Sequence, residues 1–350
     1  MFRARGDSFH VFARASRQRR RVRVCGFAAA LLCAAAFVSS AVAGVEHFRD
    51  LDPALAARVL ALSPDHITDA DVRDTLSRVT APRIILLDGS VAVVSMQPFA
   101  QFLIAMGYPA EPLRDPRNGS LSRTSFDDSA RIAGEIAWHY ERDGMMPMLI
   151  GHSQGGMRVI RTLYELAGEF ADAIPVFDPI ADRALDRTTI RDPLTGSIRT
   201  CVGLKVGYAA ALATGKLARV LLGQWSMLSR IRAIPDTVED FTGFTLPNDI
   251  IAGNVFGDEP YRALGTAHVR NVTLPATYSH IGLPLARHLA DNAVTRAWIE
   301  RYTQDAATAL PTDPAIDTSN LVHAADIWFS VRKYWCIEAQ RAIRAAKAGP

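Results

Sequence analysis

The chain is short of the residues that most metal, redox and nucleotide functions require. Only four cysteines occur in 350 residues. None are spaced as Cys-x-x-Cys, and no His-Glu-x-x-His pair is present, so no zinc site is expected. No Gly-x-Gly-x-x-Gly or Gly-x-x-x-x-Gly-Lys loop occurs, so no nucleotide cofactor is implied. Internal repeats and low-complexity tracts are missing. Charge of one sign is not in excess either, with 39 basic and 36 acidic side chains. Eight of the arginines and only one acid lie in residues 1–23, which leaves the rest of the chain at −4, 31 basic against 35 acidic. Nothing in that balance argues for nucleic-acid binding, and none is expected.

Long hydrophobic runs are also scarce. The stretch Val24–Val38 is about 15 residues, short of the roughly 20 that cross a bilayer. A basic head, a short apolar run and then Ala41-Val42-Ala43 read as a secretory signal peptide over 1–43, cleaved near Ala43. The expectation is a periplasmic or secreted protein. Beyond that segment two cysteines remain, Cys201 and Cys336, and in an oxidising compartment a bridge between them is expected.

What is present is an alternation of apolar runs and amphipathic stretches. Residues 44–81 are helical in pattern, with Thr68 placed to cap a segment carrying Val72, Leu76 and Val79. Arg83-Ile84-Ile85-Leu86-Leu87 is continuously apolar after its first residue, as a strand buried on both faces is. A helix through Phe99 and Leu103 follows, then a loop from Asp115, and a helix opened near Ser125–Asp128 and stopped at Gly144. Met145–Ile150 reads as a strand, Met157–Leu166 as a helix, and Ala173–Phe177 as the next strand, ending at Asp178. The apolar run Val206–Ile234 reads as a helix within a cap or lid insertion over about 180–247. Asp249–Phe256 and His268–Leu274 read as strands, and helices over about Leu283–Tyr302 and Leu321–Ala346 close the chain. Such alternation predicts an α/β protein with a mostly parallel sheet and helices on both faces.

Between the strand at 145–150 and the helix at 157–166 stands Gly151-His152-Ser153-Gln154-Gly155-Gly156. Strand, Gly-x-Ser-x-Gly, helix is the layout of a nucleophile elbow, in which a strained turn lifts the serine hydroxyl above the sheet. A serine needs a base, and the base an oriented anion. In this layout they follow in the order serine, acid, histidine, each past the end of a strand. His280 lies six residues beyond the last strand, and Asp258 ends the strand before it. Asp178 is the alternative acid one strand earlier, with Glu259 and Asp249 as the remaining candidates. His268 reads as an in-strand residue and His288 as a helix-face residue.

With these residues the chain resembles the α/β-hydrolase superfamily, and Gly-His-Ser-Gln-Gly-Gly is most similar to the elbow of bacterial lipases and esterases. The resemblance covers about Arg83 to Tyr302. It implies that Ser153 attacks an ester carbonyl, that His280 carries the proton to the leaving alcohol, and that Asp258 holds the imidazole. It implies an oxyanion hole from the backbone N–H of Gln154 and that of Ser90, with Val91 as the alternative second donor; from the missing motifs no cofactor and no metal are expected. Asp88-Gly89 stands where many members have His-Gly. The expected substrate is a small-molecule or lipid ester, and transient contact with a lipid surface goes with the apolar cap. Two other functions fit the same residues: acyl transfer through the same triad, and a non-catalytic binding scaffold of this fold.

Overall fold

In the computed structural model, residues 44–90, 94–216, 219–220, 222–253, 259–306 and 308–348 are described. The expected signal segment therefore lies outside the described residues. The centre is a five-stranded sheet: β1 (Ile84–Leu87), β2 (Met148–His152), β3 (Val206–Leu212), β4 (Val238–Thr245) and β5 (His268–Thr273). The strands lie side by side in that order. Every neighbouring pair is parallel, in register Ile84↔Met148, Leu149↔Ala209, Ala209↔Phe241 and Phe241↔Val269.

A parallel sheet must be covered on both faces, and the alternation along the strands does this. Leu86, Ile150, Tyr208, Ala210 and Leu212 face one core. Leu87, Leu149, Ala209 and Ala211 face the other. The first core is closed by helices α1 (Gln97–Ala105), α2 (Ala293–Arg301) and α3 (Leu321–Ala348), through Phe99, Phe102, Trp298, Trp328 and Trp335. The second is closed by α4 (Ser129–Asp143) and α5 (Gln154–Leu166), through Ile132, Ile136, Met157, Ile160 and Leu163. The fold is thus α/β with helices on both faces, as expected. Among the described residues no helix is long and apolar enough to cross a membrane.

Local signals held where they were chemical. Thr68 and Asp71 form a reciprocal capping box. In α4 the cap is Asp128 itself, accepting from the Ala130 amide, and Gly144 ends the helix in a left-handed conformation. The expected closing helix at 283–302 is broken, with Arg287–Asp291 separated from α2 at Asn292, which caps α2 through the amides of Val294 and Thr295.

Three expectations were wrong about the sheet. Val206–Leu212 is a central strand, not the start of a cap helix, and Val238–Thr245 is another, so the range 180–247 supplies two strands of the main sheet. The stretch at 173–177 contributes only Phe177–Asp178, paired antiparallel with Arg183–Ala184 outside the main sheet. Residues 249–253 are turn, not strand. The expected Cys201–Cys336 bridge is also corrected. Both are buried free thiols. Cys201 belongs to the α4/α5 core and Cys336, on α3, to the opposite one, so the sheet separates them.

Candidate active site

Ser153 joins β2 to α5 at φ 52° and ψ −110°, a conformation that L-residues rarely adopt. The turn is held by the strand beside it. The Ser153 amide donates to the Leu212 carbonyl at 2.7 Å. The Thr214 hydroxyl donates back to the Ser153 carbonyl at 3.0 Å. The glycines after it follow from crowding. A Cβ on Gly155 would lie 2.2 Å from the Leu87 carbonyl oxygen, and one on Gly156 would lie 2.0 Å from Thr214 Oγ1. The elbow is therefore seated directly on the ends of β1 and β3.

His280 opens a short 3₁₀ turn, His280–Gly282, past β5. Its Nδ1 lies 2.7 Å from Asp249 Oδ2, and both side chains are buried. The second oxygen of Asp249 accepts the Ala252 amide at 3.0 Å. This carboxylate therefore has one oxygen fixed by the main chain and the other by the imidazole. Asp249 sits four residues past the end of β4, the strand next to β5.

Asp258, the acid expected first, lies outside the described residues. Asp178, the alternative, does not reach the histidine. Its Oδ1 accepts the amides of Ile180 at 2.9 Å and Ala181 at 3.1 Å, so it serves its own turn. Glu259 is paired with Lys216. His268 is bound to Asp240 on the exposed edge, and His288 faces Asp317 at 3.5 Å.

His152, the residue before the serine, connects the elbow to the Asp249–His280 pair. Its Nε2 lies 2.8 Å from the His280 carbonyl, and the two rings are 4.9 Å apart. A carbonyl only accepts, so Nε2 carries the proton and Nδ1 is bare. Burial, then the proximity of His280, pushes the His152 pKa down to about 3. It is therefore a neutral donor at physiological pH. Among the described residues the Ser153 hydroxyl makes no hydrogen bond, so the elbow and the histidine loop meet through His152.

The loop after β1 lies against the same place. A Cβ on Gly89 would come 3.1 Å from His152 Nδ1. Asp88 turns inward and accepts the Met96 amide at 2.7 Å, and burial raises its pKa against that hydrogen bond. Its role here is to tie the loop to the start of α1. Ser90, directly after Gly89, is exposed. Gln154 begins α5, and its side chain is buried. The Gln154 side-chain oxygen accepts from Arg219, in the segment that follows β3.

His152, Thr214, Arg219 and the acid Asp249 were the residues hardest to see in the sequence. Asp249 was visible only as one carboxylate among several. No family model matches the chain, and no curated protein matches it in sequence.

Proposed function

We propose that the chain is a serine hydrolase of the α/β-hydrolase type that cleaves carboxylic esters. The observation that carries this reading is the buried Asp249–His280 pair, whose His280 carbonyl is hydrogen-bonded to His152, the residue directly before the strained Ser153. In an ester hydrolase of this build, His280 takes the Ser153 proton as the hydroxyl oxygen bonds to the carbonyl carbon. Asp249 keeps the Nδ1 proton in place and balances the imidazolium. The oxyanion that forms lies at the start of α5, where the Gln154 amide is free of intrahelical bonding. The second donor is assigned to the Ser90 amide, from the loop that abuts the elbow. His280 then passes its proton to the leaving alcohol. Water enters by the same route in reverse and releases the acid from the acyl-enzyme.

Apolar side chains follow each part of the site. Ile250 and Ile251 come directly after Asp249, Ile281 directly after His280, and Leu222 and Trp225 follow Arg219; all five are exposed. An ester with an apolar acyl chain fits this rim. Export after cleavage near Ala43 belongs to the same reading. The test is a fluorophosphonate probe on the folded protein. The expected result is one label, on Ser153, lost in Ser153→Ala. Folded wild-type protein that takes no label would overturn the reading and favour a binding scaffold.

A further inference from the structure

Cations near the elbow are not treated alike. Lys216 is paired with Glu259, and Arg161, on α5, with Glu165. Arg219 is different. It is 1% exposed, yet its hydrogen bonds go only to neutral oxygens: Gly215 O at 3.2 Å, Gln224 Oε1 at 2.5 Å and Gln154 Oε1. Among the described residues no carboxylate pairs with it. Arg158, one turn along α5 from Gln154, is likewise unpaired and half-buried. Its Nε donates to the Ser125 carbonyl at 3.1 Å, and the Ser125 hydroxyl donates to the Gly89 carbonyl at 3.1 Å. The acids nearest Arg158 are engaged elsewhere: Asp127 with Arg117, Asp128 with the α4 N-terminus, Glu165 with Ser129 and Arg161.

Burying a guanidinium without a counter-charge is costly, and buried charges are normally paired. Here one cation with no carboxylate in contact touches the residue after Ser153, and the other, which Asp127, Asp128 and Glu165 influence only from a distance, touches the segment that holds Gly89. Gln154 adds a buried side-chain NH2 with no partner. Arg219, Arg158 and the Gln154 NH2 thus gather about the first turns of α5, directly after Ser153, and the two guanidinium groups are near enough to repel each other. The missing counter-charge has a natural source in the substrate, because guanidinium groups bind anionic oxygens in a fixed fork.

We propose that the ester cleaved at Ser153 carries an anionic oxygen group, and that Arg219 with Arg158 receives it. The proposal rests on the hydrolase reading and specifies its substrate class. The apolar rim takes the chain, and the two arginines take the charge.

The experiment compares esters of equal length with and without a carboxylate. The acyl arm uses the mono-4-nitrophenyl ester of adipic acid against 4-nitrophenyl hexanoate. The alcohol arm uses 4-butyryloxybenzoate against phenyl butyrate. The full chain should prefer the charged ester at least tenfold in kcat/KM in one arm, which also tells which side of the ester bears the charge. Arg219→Met and Arg158→Met should each lower that ratio at least tenfold, and Arg219→Lys should keep most of it. The ratio is unaffected by any common loss of folded enzyme. Preference for the neutral ester in both arms overturns the proposal, as does a ratio that stays the same in an active Arg219→Met. Wild-type protein labelled by the fluorophosphonate but without charge preference overturns this inference alone. Wild-type protein that is folded and unlabelled overturns the hydrolase reading as well.

Discussion

Asp249 and His280 are held 2.7 Å apart at the ends of adjacent strands, with neither side chain open to solvent. A carboxylate in that place fixes the imidazole tautomer. Asp249→Asn keeps the shape and leaves the wrong tautomer, so kcat should fall by about 10³–10⁴ with little change in the unfolding midpoint. Asp178→Asn should stay within about threefold of wild type in kcat/KM. Steady-state kinetics on a 4-nitrophenyl ester separates the two acids, and equal losses would remove Asp249 from its role.

Ser153 stores backbone strain, of order 1–3 kcal/mol for an L-residue at positive φ outside the favoured wells. Glycine at this position carries no such penalty. Ser153→Gly should therefore be more stable than Ser153→Ala by about 1 kcal/mol, despite glycine's greater freedom when unfolded. Urea unfolding of the two inactive variants measures it. A less stable glycine variant would mean the turn is not strained.

Buried histidines set the acid side of stability. Burial pushes His152 down to about 3 and His323, packed between Phe99 and Tyr278, down to about 4. Their ordinary value is about 6.5. The unfolded chain thus binds protons that the folded chain refuses. Stability contributed this way is full above pH 6.5 and is lost as pH falls towards 4 and then 3. Each histidine contributes a slope of at most about 1.4 kcal/mol per pH unit in that window. His323→Phe should flatten the fall of the urea midpoint between pH 6.5 and 4. An unchanged slope would count against it.

The two thiols should behave as inert core groups. Burial raises Cys201 to about 11 and Cys336 to about 12, so neither is a thiolate at neutral pH. A thiol reagent should react with both only after unfolding, and reductant should leave the unfolding midpoint unmoved. A midpoint lowered by reductant would restore the bridge.

The fold was legible wherever pattern and burial agree. Ile84–Leu87 and Met148–His152 are short apolar runs bounded by turn residues, and the glycines of the elbow announce its crowding. Two strands hid for opposite reasons. Val206–Leu212 is apolar at every position, so period two and period 3.6 fit it equally. Its glycine and alanines are small because neighbours press close: a Cβ on Gly207 would meet Tyr334 at 2.6 Å. Val238–Thr245 contains Glu239 and Asp240, which a core strand should avoid. Here they are taken up by Arg341 and by Tyr334 and Lys333 from α3.

The acid was obscured by the same displacement. Ile250 and Ile251 look like strand interior in sequence but are 76% and 57% exposed. Reading them as a strand put the expected acid past its end, at Asp258, and left Asp249, the carboxylate that the structure pairs with His280, among the remaining candidates. Exposed apolar side chains break the link between hydrophobicity and burial on which such reading depends.

The main-chain bond from Ser153 to Leu212 has a consequence for motion. The Ser153 amide belongs to the β2–β3 hydrogen bonding at the centre of the sheet, which opens only when the whole molecule does. Asp249 and His280 sit on connecting loops, whose openings are smaller and more frequent. The two halves of the site therefore keep different clocks. In hydrogen exchange the Ser153 amide should be among the slowest in the chain. Inactivation by mild denaturant should begin with departure of the base, at concentrations where the serine is still in place.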